Sequence, residues 1–273
     1  MYGAIGISKQ AVSQQRRRQQ ELDSQLNELV VQAQGLRKQH PGCGVEKMYY
    51  MLKPSFIGRD RFIEVMMDVG FRLKRPRNYR RTTYAGGFKY LNLIKGMRVC
   101  SPYTIWQSDI TYFNIEGRFY YAVFIIDVYS KKIVGHQVSK SMRAAANVKA
   151  LAAALRQHPA PRIHHSDKGS QYGYGIYVKM LSDCNVKISM GQKAQENAYA
   201  ERINRTIKEE YIQPWNPLTY EQLKNQVAKA VRHYNHTRPH AHLNRMTPAA
   251  FELKCQDPAF KRPAITIFDD NNI

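Results

Sequence analysis

The 273-residue sequence is poor in acid, in cysteine and in long apolar runs, and each shortage removes a class of protein. Its 21 Asp and Glu face 42 Lys and Arg, a formal charge of +21. Such a balance disfavours a cationic ligand and favours a polyanion, because each side chain that neutralises a phosphate releases condensed counterions. Nucleic acid is the leading partner on charge, with an RNA-associated basic protein as the plain alternative. No stretch approaches the roughly 18 apolar residues of a membrane-spanning helix. The N-terminus lacks the charged start, apolar stretch and small-residue cleavage site of a secretory leader, so neither secretion nor membrane contact is expected. Only Cys43, Cys100, Cys184 and Cys255 occur, with no C-x-x-C pair. A thiolate zinc site and a disulfide framework are therefore not expected, and a reducing cytosol fits. The pairs His164/His165 and His240/His242 have no cysteine at metal-ligand spacing. Internal repeats and low-complexity stretches are missing, which removes solenoid and fibrous architectures.

What is present falls into parts. Leu22, Leu26, Leu29, Ala33 and Leu36 recur at three- or four-residue spacing, which lays one apolar stripe along a helix over 19–36. His40-Pro41-Gly42-Cys43-Gly44 breaks it, a short apolar segment covers 48–52, and Lys53-Pro54-Ser55 turns into a second helix over 59–69, ended by Gly70. Helix, turn, helix is the plain reading. Arg72, Lys74, Arg75, Arg77, Arg80 and Arg81 then follow within a few residues, interleaved with Pro76 and Tyr79. This stretch suits an arm along DNA phosphates beside a recognition helix, although a solvated linker has the same composition.

From residue 103 the composition turns aromatic and β-branched. Strands are predicted over 104–114, 118–127 and 132–138 as a meander, then a helix over 144–155, a strand over 162–165, a helix over 170–181 and a strand over 186–189. Further helices follow over 196–211 and 220–234, and Thr247-Pro248 caps a last one. Antiparallel strands followed by alternating helix and strand predict an α/β fold, a mixed sheet with helices on its faces. The expected division is a helical DNA-binding region over 1–97, an α/β core with C-terminal helices over 98–256, and a tail over 257–273.

Three carboxylates sit where an acid is structurally awkward. Asp109 interrupts the strand Trp106-Gln107-Ser108-Asp109-Ile110-Thr111-Tyr112, where aspartate is disfavoured. Asp167 follows a strand directly, at the kind of strand end where α/β sheets collect ligands, with Ser170 placed to cap the next helix. Glu201 lies on a helix whose Tyr199, Ile203 and Ile207 face a core, while Asn197, Glu201, Arg205 and Lys208 share a polar face. Displacement at a DNA phosphorus needs an activated oxygen, a stabilised leaving oxygen and charge cancellation, which two hard divalent ions held by carboxylates supply. Lys168, Lys193, Arg202, Arg205 and Lys208 would then hold the DNA backbone around an acidic centre. Asp127, also at a strand end, reads instead as a turn residue bonded to its own backbone. Taken singly, Asp167 reads as a loop aspartate and Glu201 as a solvated helix residue more often than either reads as a ligand.

The contexts resemble a known family. Trp106–Tyr112, Asp127–Gly135, His165–Tyr172, Ser189–Glu201, and Tyr234-Asn235-His236-Thr237-Arg238-Pro239-His240 with Leu243 and Thr247-Pro248 are similar, in order, to insertion-sequence transposases of the IS3 class, in the product of their second reading frame. The resemblance covers about the last 150 residues strongly and 40–81 more weakly. It implies a ribonuclease-H-like fold of the retroviral integrase type, with a five-stranded mixed sheet. It implies a catalytic Asp-Asp-Glu triad carried onto Asp109, Asp167 and Glu201, using Mg²⁺ or Mn²⁺, two ions in all. Double-stranded DNA of the element ends and of the target, further copies of the chain, and the product of an upstream reading frame are the implied partners. Glu201 follows Asp167 by 34 positions, slightly fewer than is usual in the family, with the loss in 191–195. A transposase-derived repressor without a working triad, and a ribonuclease H or junction nuclease on the same fold, are the readings that compete with this one.

Overall fold

The computed structural model describes residues 9–73 and 90–268. Lys74, Arg75, Arg77, Arg80 and Arg81 of the basic stretch lie outside them. The chain divides into two compact units, Met1–Lys74 and Arg75–Ile273.

The first unit holds α1 (Lys9–Gln39), α2 (Val45–Leu52) and α3 (Arg59–Asp68). Of the predicted stripe, Leu29 and Ala33 are buried against Met48, Phe62 and Met66, and Leu36 packs at the edge of that cluster, whereas Leu22 stays exposed. Gly70, at φ +90°, ends α3 in the left-handed region, where glycine has no Cβ to clash. The Phe71 N–H then reaches back to the Met66 carbonyl at 2.9 Å, closing a Schellman motif.

The second unit is built on five strands. After β1 (Arg98–Val99) come β2 (Ile105–Ile115), β3 (Arg118–Asp127) and β4 (Ile133–Ser139), then α4 (Ala145–Gln157), β5 (Ile163–Ser166), α5 (Gly175–Asp183) and β6 (Lys187–Met190). The helices α6 (Ala198–Ile207), α7 (Gln213–Trp215), α8 (Tyr220–His236) and α9 (Pro248–Lys254) precede β7 (Ile265–Thr266). The main sheet has the order β4-β3-β2-β5-β6. Strand β3 is antiparallel to both neighbours, while β5 and β6 run parallel to β2.

Side-chain alternation sorts the sheet into two buried faces. Along β3, Ala122, Phe124 and Ile126 pack with Ala200, Ile203, Ile207, Leu223 and Val227 of α6 and α8. Val123 and Ile125 pack on the opposite side with Ala146, Ala150, Leu151, Tyr177 and Leu181 of α4 and α5. At Gly135 an added Cβ would lie 2.7 Å from the Ala150 carbonyl oxygen, so β4 and α4 approach to backbone contact.

Four expectations are corrected. The helix predicted over 170–181 is two pieces, a 3₁₀ turn Ser170–Gly173 and then α5, and Ser170 forms no cap. The helix predicted over 196–211 is likewise divided into a 3₁₀ turn Ala194–Asn197, α6, and a π-turn Lys208–Ile212. Residues 90–97, drawn with the helical region, belong to the larger unit, where Ile94 is buried with Val99 and Phe251. The expected tail also contributes: Ile267 is fully buried, and β7 pairs with β1, because Ile265 and Ile267 are apolar and find cover there.

Candidate active site

Parallel pairing of β2 with β5 sets Gln107 opposite His165 and Ser108 opposite Ser166. Asp109 and Asp167 are the next residues on each chain, so the sheet register sets them side by side. By alternation Asp109 shares the sheet face of Phe113 and Ile115, the side covered by α6. Polar side chains fasten that helix to the strand. The Asn204 amide donates to Asp109 Oδ2 at 2.8 Å, the Asn197 amide donates to the Ser108 carbonyl at 3.1 Å, and the Ala200 N–H donates to Gln107 Oε1 at 3.3 Å. Glu201 is the next residue after Ala200.

The electrostatics register the convergence. Burial, then the charge of Asp167 and, more weakly, of Glu201, push the Asp109 carboxyl from 3.8 up to about 8, opposed by the Ile110 N–H and the Asn204 amide. Burial raises Asp167, against the Gly169 N–H that donates to its Oδ1 at 3.0 Å. Glu201 is also raised, first by burial and then by Asp167, while Arg205 acts the other way. Like charges drawn out of water favour protonation or a counter-cation, and an all-oxygen donor set fits a hard divalent ion. Among the described residues, no three His, Cys, Asp or Glu side chains converge into a single metal cage. Magnesium does not require one, since it keeps several waters and takes one or two carboxylates plus substrate phosphates.

The flanking histidines are structural. His165 Nδ1 lies 2.8 Å from Ser189 Oγ, and His164 Nε2 lies 2.9 Å from the Tyr177 hydroxyl. Burial pushes them down to about 4 and about 3, so both are neutral over the physiological range. Asp127 behaves as a turn residue. It is fully buried, Oδ1 accepting from the Ser130 N–H and hydroxyl at 2.7 Å and Oδ2 from the Tyr103 N–H at 2.7 Å.

The predicted basic set is dispersed. Arg205 is exposed and acts on Glu201, and Lys168 follows Asp167 half-buried. Lys193 is exposed in the shortened 191–195 loop, which the Glu196 carboxylate pins by accepting the Gln192 N–H. Lys208 does not share an open face with Glu201: its ammonium sits 4.3 Å over the Tyr112 ring. Arg202 is exposed, and its charge falls on Lys131, His240 and His242. Arg72 is exposed on the first unit and lines an open cleft there with Arg37 and Phe71. Asn197, expected beside Glu201 on the polar face, is buried and turned to β2, because the 3₁₀ turn before α6 rotates it inward. Gln107 and Asn204 were not anticipated. Asn204 lies three residues after Glu201, a helical neighbour spacing that could have drawn attention to it.

An integrase core domain model matches residues 100–195, and a second integrase core domain model matches 182–248. The chain is 31% identical over 206 residues to an uncharacterized 31 kDa protein of insertion element IS600 from Shigella sonnei, covering 72% of this chain and 76% of that one. It is 30% identical over 193 residues to the transposase InsF of insertion sequence IS3A from Escherichia coli, 68% of this chain and 67% of that one. The IS904 transposase of Lactococcus lactis is 34% identical over 168 residues, 59% of this chain and 66% of that one. A chain in a simian T-cell lymphotropic virus intasome, in complex with the PP2A regulatory subunit B56 gamma, shares the fold at a TM-score of 0.52 and 15% identity, over 84% of this chain and 76% of that one. The five-stranded mixed sheet, the integrase-core matches and the relatives converge, and the chain belongs to the IS3-type insertion-sequence transposases with an integrase core.

Proposed function

We propose that the chain cuts DNA at the ends of an insertion sequence and joins the freed 3′ hydroxyl to a second strand, with Asp109, Asp167 and Glu201 as the residues that would hold two Mg²⁺ or Mn²⁺ ions. The supporting observation is that Asp109 lies within electrostatic reach of both Asp167 and Glu201, although the three are remote in sequence. Such ions, when bound, supply charge neutralisation at the phosphate and a more acidic attacking oxygen.

The protein's own contribution is positioning. The Ile110 N–H and the Asn204 amide each engage one oxygen of Asp109, and the Gly169 N–H fixes Asp167. Both aspartates are thus oriented by bonds to backbone or to α6. Ser108 and Tyr172 pair with each other at 3.0 Å in a buried bond, and burial raises the Tyr172 hydroxyl well above 10. Neither is a ready nucleophile, which agrees with direct attack by water or a sugar hydroxyl. The basic stretch from Arg72 to Arg81, with Lys168, Lys193, Arg202, Arg205 and Lys208, is proposed to meet phosphates of the element ends and target in an oligomer of the chain.

Asp109→Asn, Asp167→Asn and Glu201→Gln test the proposal on a labelled duplex ending in the inverted repeat beside the gene, with Mg²⁺. Each is expected to lose cleavage and strand transfer while keeping DNA binding. Double variants should be no worse than singles, since residues acting as one unit are non-additive. Near-parental cleavage by any single variant removes that residue from the site.

A further inference from the structure

Beside the carboxylates, Lys131, Arg202, His240 and His242 form a second group whose charges act on one another, and the chemistry above uses neither its lysine nor its histidines. Lys131, in the turn between β3 and β4, is 8% exposed. Its ammonium donates to the Val128 carbonyl at 2.6 Å and lies 4.0 Å over the Tyr199 ring. His240 and His242 stand with ring centroids 5.8 Å apart, and His240 Nδ1 is buried without a hydrogen-bond partner among the described residues. Arg202 is exposed and, among the described residues, has neither a hydrogen bond nor an ion pair.

These groups repel one another. Burial, then Arg238, Lys131, His242 and Arg202, hold His240 down to about 3, and burial above all brings Lys131 down to about 7 against the pull of Asp127. The described carboxylate that acts on Lys131, and the one paired with the neighbouring Arg238, are already engaged. Asp127 accepts three hydrogen bonds from Ser130 and Tyr103, and both oxygens of Glu210 are taken by Arg238 at 2.7 Å. A purely structural role accounts for Lys131, which closes its turn and covers a ring. It leaves without a role the exposed arginine, which has no partner among the described residues and whose charge adds to that of two histidines and a lysine, a repulsion that an anion would relieve.

We propose that Lys131, Arg202, His240 and His242 form a phosphate subsite for a backbone phosphodiester of the DNA served by the adjoining carboxylates. Arg202 and His242 meet the phosphate at the surface, and Lys131 supplies charge from beneath. Because Arg202 follows Glu201 on α6, a strand gripped here is held next to the reacting position. The assignment rests on the DNA reading above and adds a grip that is separate from the chemistry.

The test is binding of a labelled short duplex by the full chain in EDTA across a salt series, so that no cleavage contributes. Arg202→Gln should lower the slope of log K against log salt by about one, the release expected of one phosphate contact, and Arg202→Lys should restore most of it. His242→Gln should weaken binding in the parent and little further in the Arg202→Gln background. Lys179→Gln, which removes an exposed charge on α5, should leave the slope within error. Lys131→Met is checked first for its melting transition, and the two surface variants decide the matter if it does not fold. A parental slope in Arg202→Gln, or an equal loss in Lys179→Gln, overturns the subsite. So does titratable inorganic phosphate binding that vanishes in Arg202→Gln with duplex affinity unchanged, which would make it a site for the free anion. A fall in melting temperature common to Arg202→Gln and Asp269→Asn/Asp270→Asn, with no change in slope, would assign the cluster to those acids, which follow Phe268 in sequence. Since the measurement contains no metal, its failure leaves the triad untouched, and failure of the triad leaves the slope standing.

Discussion

Replacing Asp109 by Asn should stabilise the metal-free protein, and increasingly so as pH rises. The unfolded carboxyl titrates near 3.8, and burial with Asp167 and Glu201 moves the folded one to about 8. Between those values the native state keeps a proton that the unfolded chain has released, so the cost to folding is absent below about pH 4, grows with pH and is complete above about pH 8. Full conversion at about 1.36 kcal/mol per tenfold change in proton affinity bounds it near 6 kcal/mol. Water reaching the open side of the site screens most of that, and about 2 kcal/mol is the working figure. Hydrogen bonding permits the change. Asn204 Oδ1 is buried and has no partner among the described residues, so turning its amide over lets it accept from Asn at 109. Melting of parent and Asp109→Asn in EDTA from pH 5 to pH 8.5 should therefore diverge, reaching about 4 to 8 °C in favour of the variant at the alkaline end. Other groups titrate in this range, and the difference between the two proteins isolates position 109. Parallel curves, or a variant that loses ground with rising pH, would refute the electrostatic account of the site.

The other consequences are more local. Asn204→Ala removes the amide bonded to Asp109 Oδ2 at 2.8 Å, and loss of a donor to a charged group should move the acidic limb of the cleavage pH profile upward by about one pH unit. A uniform loss of rate with an unmoved profile would leave Asn204 only a packing role. Gly135→Ala places a methyl 2.7 Å from the Ala150 carbonyl, and displacing α4 should cost about 1 to 3 kcal/mol in urea unfolding. An unchanged midpoint would show that β4 and α4 do not meet there. Glu210→Gln leaves Arg238, 8% exposed, without its bidentate carboxylate, and a loss of about 3 to 5 kcal/mol is expected in the same assay. A loss under about 1 kcal/mol would mean the pair is solvated in solution.

How much of this was legible in the sequence depended on the kind of signal. The meander was, because its strands are aromatic and β-branched and Glu116-Gly117 and Tyr129-Ser130-Lys131 mark the turns between them. The last helix was, because Thr247 accepts the Ala250 N–H at 3.2 Å ahead of Pro248, as a cap should. The divided helices were not. Tyr172 turns inward to Ser108, and the Ala194–Asn197 turn sends Asn197 into the sheet, and such tertiary bonds leave no mark on helical periodicity. Nor were the side chains that fasten α6 to β2. Gln107, Asn197 and Asn204 are neutral and polar, and their burial follows only from the strand and helix meeting. The charged candidates drew attention by chemical type, yet type alone could not tell Arg205, which acts on Glu201, from Arg202, which acts on a different group of side chains.

The small β1–β7 sheet has a consequence for how the larger unit can be rewired. Arg98 pairs with Thr266 and Val99 with Ile265, and the bonds from Gly96 to Ile267 and from Ile267 to Met97 extend the clasp. The flanks of the core's chain thus lie side by side, joined by a few bonds that close a loop of more than a hundred and sixty residues. Topologically the unit is nearly a ring. A peptide linker could join residue 268 to residue 90, and the chain could be reopened at Glu116-Gly117, an exposed hairpin tip, with every sheet pairing retained. Such a permuted core should fold and keep its site. The clasp, held by so little local structure, should also be among the first amides of the unit to exchange with solvent, opening well before β2 and β3.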